Sequence, residues 1–394
     1  MSLRTARLDD ICEINPGMPK SLDDSEIGSF LSMAAVSEGG RINFEEERPV
    51  AAVKKGYTYF ERGDVLLAKI TPCFENGKAT RTAALGRPFG FGSTEFHVLR
   101  AANEVLPDYL FYRIWNSSFR EFAAKNMTGS AGQKRVPVDF LRRLEIPLPP
   151  LGEQRRIAAI LDKADALRRK RKRTIELLDS LTQSIFRRSF VERHSSKWPV
   201  HSVESVALDA RTGPFGSQLL RSEFVDQGIS VLGIDNVVTN EFRWGERRYI
   251  SEEKYAQLHR YTVSPGDVLI TIMGTCGRCA IVPDDIPIAI NTKHLCCITL
   301  DKEKCLPEFL QATFLQHPDV LQQLGVQAKG AVMPGLNMRI IKSLTISLPP
   351  INLQMTFVKE ILSLKAMLMS SRIAETTTAS LFSSLQSRGF SNQL

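Results

Sequence analysis

Apolar residues recur at three- and four-residue spacing between residues 151 and 190. The stripe consists of Ile157, Ile160, Ala164, Leu167, Leu178, Leu181 and Ile185. Proline and glycine are absent from Glu153 to Phe190, and the stretch is rich in residues that favour helix. The pattern predicts one amphipathic helix of about forty residues, roughly 60 Å long. Such a helix is too long for an ordinary globular element and too polar for a membrane span.

The same stretch occurs a second time. Ile146-Pro147-Leu148-Pro149-Pro150 precedes the first copy and Ile346-Ser347-Leu348-Pro349-Pro350 the second, and Gln154 and Gln354 follow at a shared offset of 200 residues. A duplication of this size predicts two similar units, each a globule followed by a long helix. The predicted boundaries are 1–150 for the first globule, 151–197 for the first helix, 198–350 for the second globule and 351–394 for the second helix.

The globules also repeat each other internally. Gly63-Asp64-Val65-Leu66 matches Gly266-Asp267-Val268-Leu269, and in both a Gly-Asp turn leads into an apolar run that predicts a buried strand. Pro107 and Pro307, again 200 apart, predict the first residue of a helix. Each globule therefore reads as a strand-rich α+β domain with one or two helices.

Charge is unevenly distributed along the chain. The net charge is +8, and residues 151–197 carry 13 basic and 6 acidic groups, so the first helix holds nearly all of the excess. The globules are close to neutral, which does not indicate nucleic-acid binding by phosphate neutralisation alone. The chain has 43% hydrophobic and 24% charged residues, no apolar run of membrane length and no signal-peptide core at its start. These features predict a cytoplasmic globular protein.

Four further motifs follow one another along the chain: Ile70-Thr71-Pro72-Cys73-Phe74-Glu75-Asn76-Gly77-Lys78, Ser93-Thr94-Glu95-Phe96-His97, Gln133-Lys134-Arg135-Val136-Pro137 and Gly213-Pro214-Phe215-Gly216-Ser217. The order of these motifs resembles the specificity (S) subunit of type I restriction–modification systems. The resemblance covers essentially the whole chain. It implies two target recognition domains, each reading one half of a split double-stranded DNA sequence. It also implies that the two helices pair as an antiparallel coiled coil, giving a pseudo-two-fold molecule.

The resemblance further implies partner subunits. Two methyltransferase (M) subunits, which methylate adenine with S-adenosylmethionine, are expected to dock on the helices, and ATP-driven restriction (R) subunits to join for cleavage. The chain itself is expected to be non-catalytic and to need no cofactor, and it lacks a Gly-x-x-x-x-Gly-Lys-Ser/Thr phosphate loop. The main alternative is a free-standing regulator with two sequence-specific DNA-reading heads. An enzyme with an unrecognised motif is the weaker one.

Polar loops after the Gly-Asp strands are the candidate DNA contacts, because their side chains can bond to base edges and phosphates. In the first globule the candidates are Lys69, Thr71, Asn76, Lys78, Gln133, Lys134 and Arg135. In the second they are Thr271, Arg278, Asn291 and Lys293. The competing interpretation is that Asn-Gly and Gly-Arg simply form turns.

The candidate spacer and partner-binding residues lie on the two helices. They are Ile157, Ile160, Leu167, Leu178, Leu181, Phe357, Leu364 and Leu381. We expect the stripe of the first helix to be buried against that of the second. Because the second helix carries Thr376-Thr377-Thr378 and has Leu353 where the first has Glu153, we expect a weaker seam in its far half.

The basic run from Arg168 to Arg173 has three interpretations. It could bind DNA phosphate between the half-sites, contact an acidic face of a methyltransferase subunit, or be a solvated helix surface. Six consecutive residues wrap nearly two helical turns, so some must face the seam. The corresponding stretch Leu368–Ile373 is not basic, which argues against a role required of both helices.

Four cysteines of the second globule approach a zinc-ribbon spacing. Cys276 and Cys279 are separated by two residues, but Cys296 and Cys297 are adjacent. Adjacent strand residues point to opposite faces, so we expect ordinary buried cysteines and no metal. We likewise expect no catalytic role for His97 and His294, at matching positions in the two globules.

Overall fold

The structure, a computed structural model, describes residues 4–192, 198–325 and 336–390. Its contacts divide the chain into two units, residues 1–173 with 373–394, and residues 174–372. Unit 1 therefore contains the first globule, the start of the first long helix and the end of the second. Unit 2 contains the second globule with the complementary helix segments. The domain boundaries given above stay a prediction.

Unit 1 is built mainly of short strands. The strands are β1 (Thr5–Arg7), β2 (Cys12–Ile14), β3 (Ile27–Leu31), β4 (Glu46–Pro49), β5 (Thr58–Glu61), β6 (Val65–Ala68), β7 (Ala79–Arg81), β8 (Phe89–Gly92), β9 (Phe96–Ala101) and β10 (Glu145–Pro147). The globule's helices are α1 (Leu8–Ile11), α2 (Val50–Val53), α3 (Pro107–Trp115), α4 (Ser117–Lys125) and α5 (Val138–Arg142). The long helix α6 (Leu151–Phe186) follows and continues into a π-helical segment, Arg187–Glu192.

Two four-stranded sheets form the first globule. Their strand orders are β2-β9-β6-β7 and β4-β3-β8-β5, and β3 and β8 form the parallel pair. The ribbon β1–β10 pairs Thr5 with Pro147 and so brings the start of the globule beside its end. The Ile-Pro-Leu-Pro-Pro motif is thus the closing strand of the globule, and α6 begins directly after it.

Unit 2 repeats this plan. Its strands are β11 (Val200–Ser202), β12 (Ala207–Thr212), β13 (Ile229–Leu232), β14 (Tyr249–Ile250), β15 (Val268–Thr271), β16 (Cys279–Ile281), β17 (Ala289–Asn291), β18 (Leu295–Leu300) and β19 (Thr345–Ser347). Its helices are α7 (Val203–Val206), α8 (Glu252–Leu258), α9 (Pro307–Gln316), α10 (Pro318–Gln323), α11 (Met338–Ser343) and the long α12 (Ile351–Phe390). The sheet β12-β18-β15-β16 matches β2-β9-β6-β7 of unit 1, and β13 and β17 are again parallel. The predicted Gly-Asp strands and the helix starts at Pro107 and Pro307 are confirmed.

The repeated Gly-Asp turn has a structural explanation. Gly63 and Gly266 adopt φ of +104° and +82°, which favours glycine. Asp64 is buried and accepts from the Glu61 amide at 2.7 Å and from Arg100. Asp267 is equally buried and accepts from the Ser264 amide at 2.9 Å. The motif therefore fixes the turn before the central strand in both units.

A buried glutamine anchors each long helix to its globule. The Gln154 amide accepts from the Leu106 amide at 2.8 Å and donates to the Glu104 and Pro149 carbonyls at 2.9 and 2.8 Å. Gln354 makes the same bonds, accepting from Leu306 at 2.9 Å. Because Leu106 and Leu306 cap α3 and α9, each glutamine joins the start of a long helix to the start of a globule helix.

The seam positions of the long helices alternate by three and four residues, which is the heptad spacing of a coiled coil. In α6 they are Gln154, Ile157, Leu161, Ala164, Arg168, Arg171, Ile175, Leu178, Thr182 and Ile185. In α12 they are Gln354, Phe357, Ile361, Leu364, Leu368, Ser371, Glu375, Thr378, Phe382 and Leu385. All of these residues are buried or half-buried, and each seam position of α6 has its counterpart 200 residues later.

Within each unit the helix segments run antiparallel. In unit 1 the Arg168 guanidinium lies 5.3 Å from the Phe382 ring and Arg171 donates to the Ala374 carbonyl. In unit 2 the Phe186 and Phe357 rings are 5.8 Å apart. The globule cores include these helix ends: Ile157, Leu161, Phe382 and Phe390 belong to the core of unit 1, and Phe186, Phe190, Phe357 and Ile361 to that of unit 2.

Three predicted seam residues are not buried. Leu167, Leu181 and Leu381 are 43%, 44% and 51% exposed, so the expectation that they fill the seam is wrong. Each lies one residue before a seam position, which turns its side chain by about 100° around the helix. Ile157 and Phe357 are buried and Ile160, Leu178 and Leu364 half-buried.

The far half of the second helix contains both polar and aromatic buried residues. Thr378 is buried and its hydroxyl donates to the Ala374 carbonyl at 2.7 Å, which satisfies the polar group within the helix. Phe382 and Phe390 are buried against Tyr112 and Tyr109 of the first globule, with ring centroids 6.3 and 5.7 Å apart. The strength of the seam in this half therefore stays a prediction, while Phe382 and Phe390 add aromatic packing on the globule.

Candidate nucleic-acid interface and helical seam

Five predicted contacts of the first globule lie together. The backbone of residues 69–71 pairs with that of residues 134–136: the Thr71 amide donates to the Lys134 carbonyl at 2.9 Å, and the Val136 amide donates to the Lys69 carbonyl at 2.9 Å. Gln133 and Lys134 are exposed, and Lys69 and Thr71 are half-buried. The two loops form one polar edge beyond the end of β6.

An ion pair controls the charge of this edge. The Arg135 guanidinium donates to Glu95 at 2.9 Å. This bond, the charge of Arg135 and the nearby Lys69 ammonium hold the pKa of Glu95 below its usual range. Because Arg135 already has an acidic partner, its charge is largely compensated where a phosphate would bind.

Asn76 and Lys78 have partners on another segment. The Asn76 amide donates to the Glu38 carboxylate at 2.9 Å, and the Lys78 ammonium donates to the Met33 carbonyl at 2.9 Å. Lys78 is half-buried, whereas Asn76 is exposed. The loop after β6 is thus fixed to residues 33–38, and the structure does not place these two side chains with the polar edge of Lys69 and Lys134.

His97 is a core residue of the first globule. Its Nε2 bonds to the Val136 carbonyl at 2.8 Å and its Nδ1 to the Asn15 amide at 3.2 Å. The first bond requires a donor and the second an acceptor, which fits the neutral ring. Burial lowers the pKa of His97. The bonds explain the residue structurally.

In the second globule two predicted contacts are fully buried. The Thr271 hydroxyl donates to the Thr275 carbonyl and accepts from the Arg278 amide at 2.9 Å. The Asn291 amide donates to the Leu295 carbonyl at 2.9 Å. As a correction to the sequence interpretation, both side chains close turns and have no surface to offer DNA. Arg278 is exposed and Lys293 half-buried.

Lys293 lies in a cleft of about 500 Å³. The lining residues are Pro214, Gly216, Leu219, Arg221, Phe224, Glu246, Arg248, Thr292, Lys293 and His294. The Gly213-Pro214-Phe215-Gly216-Ser217 motif forms one wall, and the segment between β17 and β18 forms another. Apolar side chains therefore surround several convergent polar groups, as in a ligand-binding cleft.

The cleft has a positive character. The lining contains three basic residues, Arg221, Arg248 and Lys293, and one carboxylate, that of Glu246. Burial and the positive charges of Lys293 and Arg248 lower the pKa of His294. Arg248 is also paired with Asp235, outside the lining. An anionic group such as a phosphate is therefore favoured here.

Sequence reasoning missed Arg221, Arg248 and His294 as cleft residues. Arg221 follows the Gly-Pro-Phe-Gly-Ser motif closely, and His294 adjoins the predicted Lys293. Their closeness to these motifs in the sequence could have identified Arg221 and His294 as cleft residues. Arg248 precedes β14 and reaches the cleft through strand pairing, so no local pattern marks it.

The basic run of α6 is partly internal. Arg168 and Arg169 pair with the buried Asp165 at 2.8 and 3.1 Å, and Arg168 also stacks near Trp115. Arg171 donates to Ala374 across the seam. The expectation that some of the run faces the seam is confirmed, whereas DNA or methyltransferase binding by its other residues stays a prediction.

The four cysteines are buried in two different core clusters. Cys276, Cys279 and Cys296 belong to one core cluster of unit 2 and Cys297 to another, as expected for neighbours on opposite faces of a strand. Within residues 4–192, 198–325 and 336–390 no group of three or more His, Cys, Asp or Glu side chains is arranged to hold a metal ion. No helix in the described part of the chain is long and apolar enough to cross a membrane.

A duplicated α+β globule, each copy followed by a long helix, defines the architectural class of this protein. The family model described as "Type I restriction modification DNA specificity domain" matches residues 3–177 and 224–375. The match covers well over half of the chain, which therefore belongs to this family. The resemblance inferred from the motifs and the predicted fold class are confirmed.

Individual relatives agree with this assignment. The EcoAI specificity subunit of Escherichia coli is 45% identical over 150 residues, 37% of this chain and 25% of that protein. The EcoEI specificity subunit of the same organism is 42% identical over 160 residues, 40% of this chain and 26% of that protein. In these alignments the chain spans about a quarter of each relative's length. The relatives are named specificity subunits, in agreement with the expected non-catalytic role.

Solved structures show the same fold. One chain, from work on complex assembly and conformational transition of the type I R-M system, has a TM-score of 0.60 at 18% identity, with 100% of both chains covered. The S subunit from M. genitalium has a TM-score of 0.59 at 14% identity, covering 99% of this chain and 96% of that one.

Proposed function

We propose that this chain reads a bipartite double-stranded DNA sequence, with each globule contacting one half. Two methyltransferase subunits dock on it, and restriction subunits join in the full complex. Methylation and cleavage are then performed by those partners. A cytoplasmic location follows from this role and also remains a prediction.

The carrying observation is the duplication itself. The two globules share the strand order of one four-stranded sheet, the buried Gly-Asp turn and the glutamine anchor, yet present different surfaces near the same strands. The first has the polar edge of Lys69 and Lys134, and the second has the cleft around Lys293. Two globules with the same scaffold but different surfaces fit a protein in which each globule reads a different half of the DNA sequence.

Exposed apolar residues on the helices support subunit docking. Leu167 and Met367 lie at corresponding positions and are both exposed, as are Leu181 and Leu381. These side chains lie beside the seam and leave apolar surface on both helices. Repetition of the surface fits two copies of one partner, and apolar residues supply most of the stability of such contacts.

The direct test is sequencing of methylated sites. A host expressing the cognate methyltransferase subunit, with and without this chain, should show adenine methylation at a split sequence only when the chain is present. Replacing residues 198–345 with the second globule of another family member should then change one half of that sequence. The unaltered first globule is the internal control.

Two results would contradict the proposal. A globule exchange that changes both halves would mean that the globules do not read independently. Sequence-specific nanomolar DNA binding by the purified chain alone, at physiological salt, would favour the free-standing regulator, because we expect the isolated chain to bind DNA weakly.

A further inference from the structure

A second polar pocket lies in unit 1, away from the loops discussed above. It has a volume of about 230 Å³ and is formed by the end of α3, the start of α4 and the last turns of α12. Its lining residues are Arg113, Asn116, Ser117, Ser118, Ser383, Gln386, Ser387 and Phe390. No carboxylate is among them, so the Arg113 guanidinium is the one formal charge of the lining.

Two donors in this pocket are buried without an acceptor. The Nε of Arg113 and the Nε2 of Gln386 are each inaccessible to solvent and have no hydrogen-bond partner among the described residues. Gln386 as a whole is only 7% exposed. Burial lowers the pKa of Arg113, whose guanidinium lies 5.0 Å from the Phe390 ring. Leaving buried donors unpaired is costly, which indicates a missing acceptor.

The start of α4 adds further donors. Asn116 caps the helix by accepting from the Phe119 amide at 2.7 Å. The amides of Ser117 and Ser118, in the first turn, have no partner within the helix. They carry the positive end of the helix dipole, which favours an anion. The hydroxyls of Ser117, Ser118 and Ser383 lie around the same space.

Unit 2 has neither the arginine nor the glutamine at the corresponding positions, although His317, the counterpart of Ser117, is buried with both ring nitrogens unpaired. Thr313 stands where unit 1 has Arg113, and its hydroxyl donates to the Phe309 carbonyl at 2.8 Å. Phe186 stands where unit 1 has Gln386 and is fully buried, with its ring 6.5 Å from that of His317. In unit 2, aromatic side chains therefore occupy the space that corresponds to the polar pocket of unit 1.

We propose that this pocket binds one tetrahedral oxyanion of the phosphate class. A small shift of their side chains would bring the Arg113 Nε and the Gln386 Nε2 to the pocket surface, where they would donate to the anion from one side. The first turn of α4 would donate from the other. Water occupies about 30 Å³ per molecule in the liquid, so the pocket has room for a phosphate ion and a few waters. The bound ion would join the first globule to the end of α12.

The test is a titration of the full chain with inorganic phosphate, with chloride balancing ionic strength, followed by ³¹P NMR and thermal unfolding. Phosphate also stabilises proteins unspecifically, so the comparison between variants decides the result. We expect saturable binding by the wild type and increased hydrogen-exchange protection of residues 378–390. Arg113→Gln should weaken binding at least tenfold. Lys125→Gln removes the same charge from the exposed end of α4 and should change nothing.

Gln386→Leu gives a second readout. It removes a buried unpaired donor, so the variant should unfold at the same or a higher temperature in chloride, yet lose the response to phosphate. This variant decides the question even when Arg113→Gln fails to fold. No saturable binding by the wild type, or equal binding by the wild type and Gln386→Leu, would overturn the proposal.

A short DNA duplex distinguishes the sources of the phosphate group. A duplex that displaces inorganic phosphate from the wild type identifies a DNA phosphodiester as the ligand. Simultaneous binding of duplex and phosphate identifies a free ion. Either result supports the site, provided that the Gln386→Leu variant no longer binds inorganic phosphate.

Discussion

The polar edge of the first globule and the cleft of the second come from the same part of the fold but differ in charge. Glu95 precedes β9 in the first globule, and His294 precedes the matching β18 in the second. The strand registers thus match His294 with Glu95 and His97 with Cys296, so the predicted match of His97 with His294 is wrong. Glu95 pairs with Arg135 and compensates its charge, whereas His294 lies beside Lys293 and Arg248. Each surface thus contains one arginine–carboxylate pair, and the cleft of the second globule has Arg221 and Lys293 in addition to its Arg248–Asp235 pair.

The junctions between globule and helix differ far less. Gln154 and Gln354 make the same bonds with nearly the same lengths. These bonds satisfy backbone groups that would otherwise be buried without partners, so few side chains can replace glutamine there. The comparison shows that the parts that hold the units together are repeated, while the surfaces available to ligands are not.

The largest expected effect is the difference in stability between a substitution in the seam and one on the exposed face of the same helix. Leu161 is fully buried and Leu167 is exposed on the same helix. Leu161→Asp places a charge in the core and should destabilise unit 1 by at least about 4 kcal/mol. Leu167→Asp should leave the unfolding midpoint nearly unchanged but weaken methyltransferase capture. Urea unfolding and a pull-down with the methyltransferase subunit measure the two effects, and equal destabilisation would contradict the seam assignment.

The next effect concerns the glutamine anchors. Gln154→Ala and Gln354→Ala each leave one amide and two carbonyls without their partner, which should cost about 3 kcal/mol in either unit. Gln183→Ala, at an exposed position of α6, is the control and should cost less than about 0.5 kcal/mol. The free energy of unfolding in urea gives the comparison. A cost in only one unit would show that the repeated bonds are not equivalent.

A smaller effect should follow from exchanging the charges at the two matched positions. His294→Glu should weaken DNA binding by the assembled complex several-fold and lower its salt slope by about one, because it introduces repulsion beside a phosphate. Glu95→His should do the reverse in the first globule by releasing Arg135. Fluorescence anisotropy at several salt concentrations measures both. If DNA affinity changed in the same direction in both variants, the difference in charge between the two surfaces would be contradicted.

The smallest effect is the pH dependence of stability. Burial lowers the pKa of His97 in the folded protein, so the unfolded chain binds a proton more readily. Stability should therefore fall as pH decreases from about 6.5 towards the lowered folded value, by at most about 1.4 kcal/mol per pH unit. His97→Gln should be less stable at pH 7 but show a flatter curve. Half-buried His294 should contribute less, and an unchanged slope in His97→Gln would contradict this assignment.

Local patterns explain why much of this fold follows from the sequence. The long helices, the Gly-Asp strands and the starts of α3 and α9 depend on neighbouring residues: periodic apolar positions, a glycine with positive φ and a proline at a first turn. Duplication, at an offset of 200 residues for the helices and 203 for the Gly-Asp strands, doubled each signal. The family resemblance followed from the same motifs in the same order.

Only the tertiary structure decided which residues of those patterns face inwards. Leu161 and Leu167 are both apolar residues of one helix, and the second helix and the globule select the first for burial. Thr271 and Asn291 carry the polar groups of DNA-contacting residues but are enclosed by their own turns. Arg248 enters the cleft through strand pairing. Burial and proximity depend on contacts between residues far apart in the chain, which no local spacing encodes.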